Sequence, residues 1–423
     1  MVVVRPFAAL RPTSGLADKV AVLPMGMMNS EEARCMAAGN PYSFLHIDKA
    51  EIDLPPEQYG VLSGSDVYPD EIYDLASANL RRFEDEGTLQ QDERPMFYIY
   101  RQQMKDRAQT GLVVCASVDD YINNSIKKHE FTRASKEASC IRLMDRCNAH
   151  TGPIFLAYQG QEAITGLIAD WADTHQPVYD FTTANDVEHI IWVVDDMAVA
   201  AALIEAFAAV DTLYVADGHH RAASSVEVAK LRRSENPQYD GSEGFNYFLA
   251  TLFPAEELRI MDYNRVVRDL NGMSEEAFLE RLAEVCDIEP YLCDGCPRPQ
   301  STHTIGMCLA SGWYMLTIRK GVFDPSDVMA RLDVSILQDS VLEPILGVGD
   351  PRVDERIDFV GGNRGLGELE KRVQDGWAVA FAMYPPSIED LMQIADNGDI
   401  MPPKSTWFEP KLLSGLFIHK FDR

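Results

Sequence analysis

Positive charge is what this 423-residue sequence has least of: 38 Lys plus Arg stand against 66 Asp plus Glu, a formal net charge of −28. A surface of that sign repels polyanions, which excludes extended binding to nucleic acid or to an anionic membrane but leaves room for a local basic pocket around one small anion. Long apolar runs are lacking as well. The most apolar stretch, Met197 to Val210, is 14 residues long and contains Glu205, short of the roughly 20 needed to cross a bilayer, so a buried helix is expected there. At the start, the apolar Val2 to Val4 is cut by Arg5 and Pro6 before a signal-peptide core can form. Cysteine is sparse: eight residues, at 35, 115, 140, 147, 286, 293, 296 and 308, lack the density of a secreted disulfide scaffold. These absences together predict reduced thiols and a cytoplasmic location. No fixed-period repeat and no low-complexity linker is visible.

The composition that remains is ordinary for a globular protein, 46% hydrophobic and 25% charged, and the length suits two to three domains at about 150 residues each. Asn29-Ser30-Glu31-Glu32 opens a short helix closed by Gly39, and a second helix is expected from Asp70 to Glu86, each with an acidic first turn and a glycine stop. Strands are expected at Met96 to Tyr100 and Gly111 to Ser117. The middle of the chain then alternates: strands at 154–158 and 188–194, a helix at 197–209, a strand at 213–216, a helix near 220–233 and a strand at 247–252. This pattern reads as α+β, or mixed α/β. After Glu289 the Cys293 to Pro299 passage is irregular, and a boundary is placed there, giving residues 1–289 and 290–423. Strands near 304–309 and 313–318, helices near 333–342, 366–375 and 387–397, and a strand at 377–383 follow.

Chemistry is concentrated in Leu213-Tyr214-Val215-Ala216-Asp217-Gly218-His219-His220-Arg221. A strand that ends at an aspartate, turns on a glycine and enters a helix presents free N–H groups and a helix dipole to an anion. Arg221 adds a forked cationic donor, and His219 and His220 add further donors. Asp217 is then placed to orient or deprotonate an attacking hydroxyl. The plain alternative is a capping aspartate followed by surface histidines; two histidines and an arginine after the glycine favour function. Adjacent helical histidines point about 100° apart, which argues against a shared metal ion.

A second cluster is Lys127-Lys128-His129-Glu130-Phe131-Thr132-Arg133-Ala134-Ser135-Lys136; from 127 to 146, six Lys/Arg face three Asp/Glu, a net of +3. Within so acidic a chain this island suits a nucleotide phosphate chain, clamped by Lys128, His129, Arg133 and Lys136, with Glu130 as a second candidate base. A solvated charged helix is the competing reading. If the two clusters form one site, segments 127–136 and 217–221 must lie within about 15 Å, the limit of side-chain reach to one phosphate chain. Cys293 and Cys296 have CxxC spacing but no second ligand pair, so no metal site is expected. Gly398 to Ser405 imitates a phosphate loop, yet Pro402 and Pro403 remove the N–H groups such a loop needs. Lys404, Ser405 and Thr406, and Arg364 after the Gly361-Gly362 turn, are secondary candidates.

These motifs carry a resemblance. Arg5-Pro6-Phe7, Arg11-Pro12, Gly39-Asn40-Pro41, Phe44-Leu45-His46, Lys128-His129-Glu130-Phe131-Thr132, Ala216 to Arg221, Phe359 to Gly362 and Met401 to Lys411 resemble the bacterial and archaeal family known as domain of unknown function 1015. The sequence departs from it at Leu23 to Met28, where members carry Pro-Pro-Tyr-Asp-Val. Asp217 to Arg221 is also similar to the motif of the ParB/sulfiredoxin superfamily, which includes nucleotide-dependent free-serine kinases. The sulfiredoxin cysteine is replaced by His219, and the basic DNA-binding helices of partition proteins are missing. The resemblance therefore implies a ParB/sulfiredoxin-like core elaborated at both ends, and a small-molecule kinase that uses ATP and Mg²⁺, with free L-serine as the leading acceptor and O-phospho-L-serine as product. A non-catalytic nucleotide or phosphometabolite sensor is the alternative. Oligomeric state is left open by the sequence.

Overall fold

A computed structural model describes residues 1–55, 57, 58, 67–293 and 295–421. It is a mixed α/β structure whose chain forms two compact units. The first comprises Met1–Lys128, Thr132–Leu258 and Pro410–Arg423, the second His129–Phe131 and Arg259–Glu409.

In the first unit the apolar runs form a sheet of nine strands among the described residues. Its middle strand, Arg107–Ser117, pairs antiparallel with Phe97–Met104 on one side and Tyr247–Pro254 on the other. Tyr247–Pro254 pairs in parallel with Ile154–Tyr158, which pairs antiparallel with Leu213–Asp217. At that edge Leu213 and Tyr214 run parallel to Ile126 and Lys127. Every residue of Ile154–Tyr158 and Tyr247–Pro254 is buried, as expected where both faces of a strand are covered. Phe97, Leu112, Leu156, Val215 and Phe248 share one core with Trp171, Leu203 and Phe207 from the helices Glu162–Thr174 and Met197–Ala208. A second core joins Phe44, Ile47, Tyr73, Phe83 and Leu143 with Ile418. Each such large apolar side chain contributes roughly 1.5–3 kcal/mol on burial.

One expectation is corrected here. The helix Met197–Ala208 buries only Leu203 and Phe207 among its residues, and Met197 is 80% exposed. Its hydrophobicity comes largely from alanines, whose small side chains lose little by facing water, so a high apolar content did not mean burial all round.

The second unit is built on a six-stranded antiparallel sheet in the order Cys286–Pro290, Gly312–Ile318, Thr304–Leu309, Val379–Ala382, Tyr263–Val267, Ile357–Gly361. The boundary expected at 289/290 falls inside this sheet, because Cys286–Pro290 pairs with Gly312–Ile318. The strands on either side of the Cys293 to Pro299 passage, Cys286–Pro290 and Thr304–Leu309, belong to one sheet, and the chain passes between units after Lys128, Phe131, Leu258 and Glu409. The segment after the last helix contributes a short strand, Trp407–Phe408, paired with Ile260–Met261.

All eight cysteines are free thiols. Burial pushes Cys147 up to about 12, which makes that thiol a poor nucleophile. Among the described residues no helix is long and apolar enough to cross a membrane.

Candidate functional site

The strand Leu213–Asp217 runs straight into the helix His219–Glu235, with only Gly218 between them. Two local features prepare this junction. The register against Ile154–Tyr158 slips between Val215 and Asp217; this bulge breaks the alternation that would otherwise put Asp217 on the core-facing side with Leu213 and Val215. Gly218 then adopts φ +91°, a left-handed conformation in which a Cβ would lie 3.1 Å from Arg221 Nη2. A residue without a side chain is needed on both counts, and the guanidinium of Arg221 lies against the turn.

Three further parts of the first unit converge here. Lys411, from the segment that returns after residue 409, brings Nζ to 3.5 Å from Asp217 Oδ2; the lysine side chain is 7% exposed and the aspartate 37%. Burial alone would push Asp217 up, but Lys411, Arg221 and the Gly218 N–H outweigh it and hold the carboxyl below its ordinary value. Thr151 Oγ1 donates to Asp48 Oδ1 at 2.8 Å. Asp48 is displaced the other way: burial pushes it up in spite of hydrogen bonds from Thr151 and Ser414 and the charges of Arg221 and Lys49. A side chain at Gly152 would meet Ser414 Oγ at 2.9 Å and Arg221 Nη1 at 3.0 Å, which fixes how closely those groups approach. Lys49 is paired with Glu51 at 3.1 Å, and Glu51 accepts from Ser30 Oγ at 2.7 Å. The site thus holds two carboxyls displaced in opposite directions, Asp217 held below its ordinary value by cations and Asp48 pushed above it by burial, an arrangement typical of acid–base chemistry.

A sign follows for stability. Because Asp217 ionises more readily folded than unfolded, its pairing adds stability above the ordinary aspartate pKa of about 4 and loses it as the pH falls further. Lys411→Met is expected to shrink that increment and to move the Asp217 carboxyl upward. Carboxyl-carbon NMR titration of aspartate-labelled protein reads this directly, and an unmoved Asp217 would show that Lys411 is not its counter-charge.

The sequence-predicted residues divide between the units. Within the first, Arg133 donates its backbone N–H to His220 Nε2 at 3.0 Å, so the 132–136 segment adjoins the 217–221 turn. That bond commits His220 Nε2 as an acceptor from the backbone. His219 is buried. Lys136 and Arg221 both act on Cys140, whose thiol burial pushes up to about 11. Lys128 is exposed and extends over the Tyr121 ring, while Arg133 precedes the helix Ala134–Cys147. His129 and Glu130 belong to the second unit, where His129 is buried, with Nε2 3.2 Å from Thr406 Oγ1 and its carbonyl accepting from Met401 N at 2.9 Å. In that unit Ser405 Oγ donates to Pro402 O, and Lys404 accepts at its carbonyl from Arg265 and lies over the Tyr263 ring. Arg364 pairs weakly with Glu368 at 4.0 Å and is largely exposed.

Asp48, Thr151, Lys411 and Ser414 were not singled out from the sequence. The available signal was charge beside apolar residues: Asp48-Lys49-Ala50-Glu51 follows Phe44-Leu45-His46-Ile47, and Lys411 precedes Leu412-Leu413.

The profile of a family described as protein of unknown function (DUF1015) matches residues 4–335. No curated protein matches the chain. Among solved structures, a free serine kinase in complex with AMP aligns at 13% identity over 70% of this chain and 86% of that one, with a TM-score of 0.34. SbnI with a C-terminal truncation, from Staphylococcus aureus, aligns at 12% identity over 71% and 85%, with a TM-score of 0.38. A conserved hypothetical protein from Pyrococcus furiosus aligns at 13% identity over 73% and 94%, with a TM-score of 0.34.

Proposed function

Starting from the fact that the chain belongs to the DUF1015 family of proteins of unknown function, we propose that it is a phosphotransferase that moves the terminal phosphoryl group of ATP onto the hydroxyl of a small metabolite, free L-serine. The observation that carries this reading is Asp217, kept ionised by Lys411 and Arg221 at the mouth of a strand–turn–helix. The choice of serine rests on the likeness of Asp217-Gly218-His219-His220-Arg221 to the motif of free-serine kinases.

In this reading the phosphates lie at the start of the helix His219–Glu235, where backbone N–H groups, Arg221 and Lys411 oppose their charge. Lys136 and Arg133 extend the positive field. Asp217 accepts the serine hydroxyl proton as the new O–P bond forms and the bond to the β-phosphate oxygen breaks, so that ADP and phosphoserine leave and the proton passes to solvent. Asp48, which burial holds protonated at higher pH than usual, is the neighbouring group able to donate or receive a proton. Such a reaction depends on positioning and electrostatic stabilisation more than on covalent chemistry. Among the described residues no group of three or more His, Cys, Asp or Glu side chains could hold a metal ion, so magnesium is treated as the nucleotide's own counter-ion, neutralising phosphate charge.

Incubation of the purified protein with ATP, magnesium and L-serine is expected to yield O-phospho-L-serine and ADP in equal amounts. Nucleotide binding with neither product would replace the kinase reading by that of a nucleotide sensor. ADP formed with a different hydroxylated acceptor would keep the chemistry and change the substrate.

A further inference from the structure

The second unit contains a cavity of about 220 Å³ that the proposed phosphotransfer does not use. Asp333, which opens the short helix Asp333–Leu337, is part of its lining, as are His303, Arg331 and Asp390. Tyr384, Pro385 and Pro386 supply a rigid, mainly apolar wall.

The charges around the cavity do not cancel. Arg331 Nη2 lies 2.5 Å from Asp390 Oδ1, and Asp390 Oδ2 accepts from Ser387 Oγ at 2.8 Å, so that pair is neutral and its oxygens are occupied. His303 faces the same space with its backbone N–H donating to Asp333 Oδ1 at 2.8 Å, while its Nε2 lies 3.3 Å from the Arg331 carbonyl. Asp333 Oδ2 has no partner among the described residues, in a residue only 7% exposed. A buried carboxylate oxygen without a donor costs free energy that a ligand can recover. Among the described residues lining the cavity, Asp333 is thus the carboxyl without a cationic partner, beside an apolar wall.

We propose that the cavity binds a compact organic cation, an ammonium or amidinium group on a small apolar body, with the Asp333 carboxylate as its counter-charge and the Tyr384-Pro385-Pro386 wall against the body. An anion is disfavoured because Arg331 is already committed to Asp390. A large ligand is disfavoured by the volume. Burial, with the Asp390 charge, pushes Asp333 up to about 7, so the empty site is half protonated near neutrality and must lose that proton to receive a cation. Occupancy then depends on pH, with His303, Arg331 and Asp390 as the other titratable or charged groups facing Asp333.

Benzamidine is a suitable probe because its amidinium stays charged through the range and its ring matches the wall. Titration of the whole protein by calorimetry is expected to show saturable binding at least several-fold tighter at pH 8.5 than at pH 5.5, where the raised Asp333 carboxyl is mostly protonated. Near pH 7 the wild-type heat should vary with buffer ionisation enthalpy, since binding releases part of a proton. Asp333→Asn, which retains the oxygen that accepts from His303, should weaken binding at least 10-fold at pH 8.5 and flatten the pH profile. Absence of saturable binding at pH 8.5, equal affinity at the two pH values, or unchanged affinity in Asp333→Asn would each overturn the assignment. The wild-type measurements stand by themselves if the variant does not fold.

Discussion

Asp217→Asn is expected to lower phosphoryl transfer by roughly 10²–10⁴-fold, the range for loss of a positioned proton acceptor, while nucleotide affinity is retained or rises. The substitution keeps the size of the side chain and one carbonyl oxygen, so the bulge at Val215–Asp217 and the Gly218 turn need not rearrange. It removes the group that takes the hydroxyl proton and the negative charge nearest Lys411 and Arg221. With that charge gone the two cations attract phosphate more strongly, and turnover and affinity part company. Phosphoserine formation measured beside calorimetric nucleotide binding separates the effects, and a thermal melt checks the fold. Asp48→Asn provides the control. If it abolishes transfer and Asp217→Asn does not, the base is Asp48, whose higher proton affinity suits that role. A parallel fall of binding and turnover in Asp217→Asn would instead make Asp217 a structural partner of Lys411.

Gly415→Ala is expected to destabilise the first unit by about 2–5 kcal/mol, combining roughly 1–2 kcal/mol for a left-handed L-residue with roughly 1–3 kcal/mol for overpacking. Gly415 has φ +85°, and a Cβ there would lie 2.7 Å from Phe44 Cγ and 2.8 Å from Phe44 Cβ. Phe44 is completely buried and the clash involves its stem as well as its ring, so rotation cannot relieve it. The neighbouring Ser414 exchanges backbone hydrogen bonds with Val22 at 2.8 and 3.1 Å and reaches Asp48, so the site should loosen along with the fold. Urea denaturation measures the loss, and a midpoint within experimental error of wild type would show that the 410–421 segment accommodates the added methyl.

The two variants probe opposite kinds of information in the sequence. The strand–turn–helix at 213–235 is legible because its causes are local: an apolar run, a glycine that tolerates positive φ, then helix formers. Most buried strands, such as Ile154–Tyr158, announce themselves in the same way. The partners of Asp217 are not local. Lys411 and Ser414 lie about two hundred residues further on, and no periodicity ties them to the turn. Asp48 and Lys49 read as surface charge until Phe44, Ile47 and the 410–421 segment are seen to enclose them. The basic island at 127–136 was legible as composition, but charge alone could not reveal that His129 and Glu130 fold with one unit and Lys128 and Arg133 with the other. The boundary expected near residue 289 failed because a cysteine- and proline-rich passage between strands of one sheet has the composition of a linker.

The return of the chain to the first unit after residue 409 sets an order of events during synthesis. When the ribosome has finished residue 258, that unit has its central strands and Asp217, but not Lys411, Ser414 or the apolar Leu416 to Ile418. All of residues 259–409 must be translated before Asp217 meets its lysine. A nascent or truncated chain therefore carries Asp217 with Arg221 but without its lysine, and a core still open where Leu416 to Ile418 will close it. Competence at the Asp217 turn arrives together with completion of the first unit's core, and a premature stop or a cut anywhere within 259–409 that frees the later residues removes both.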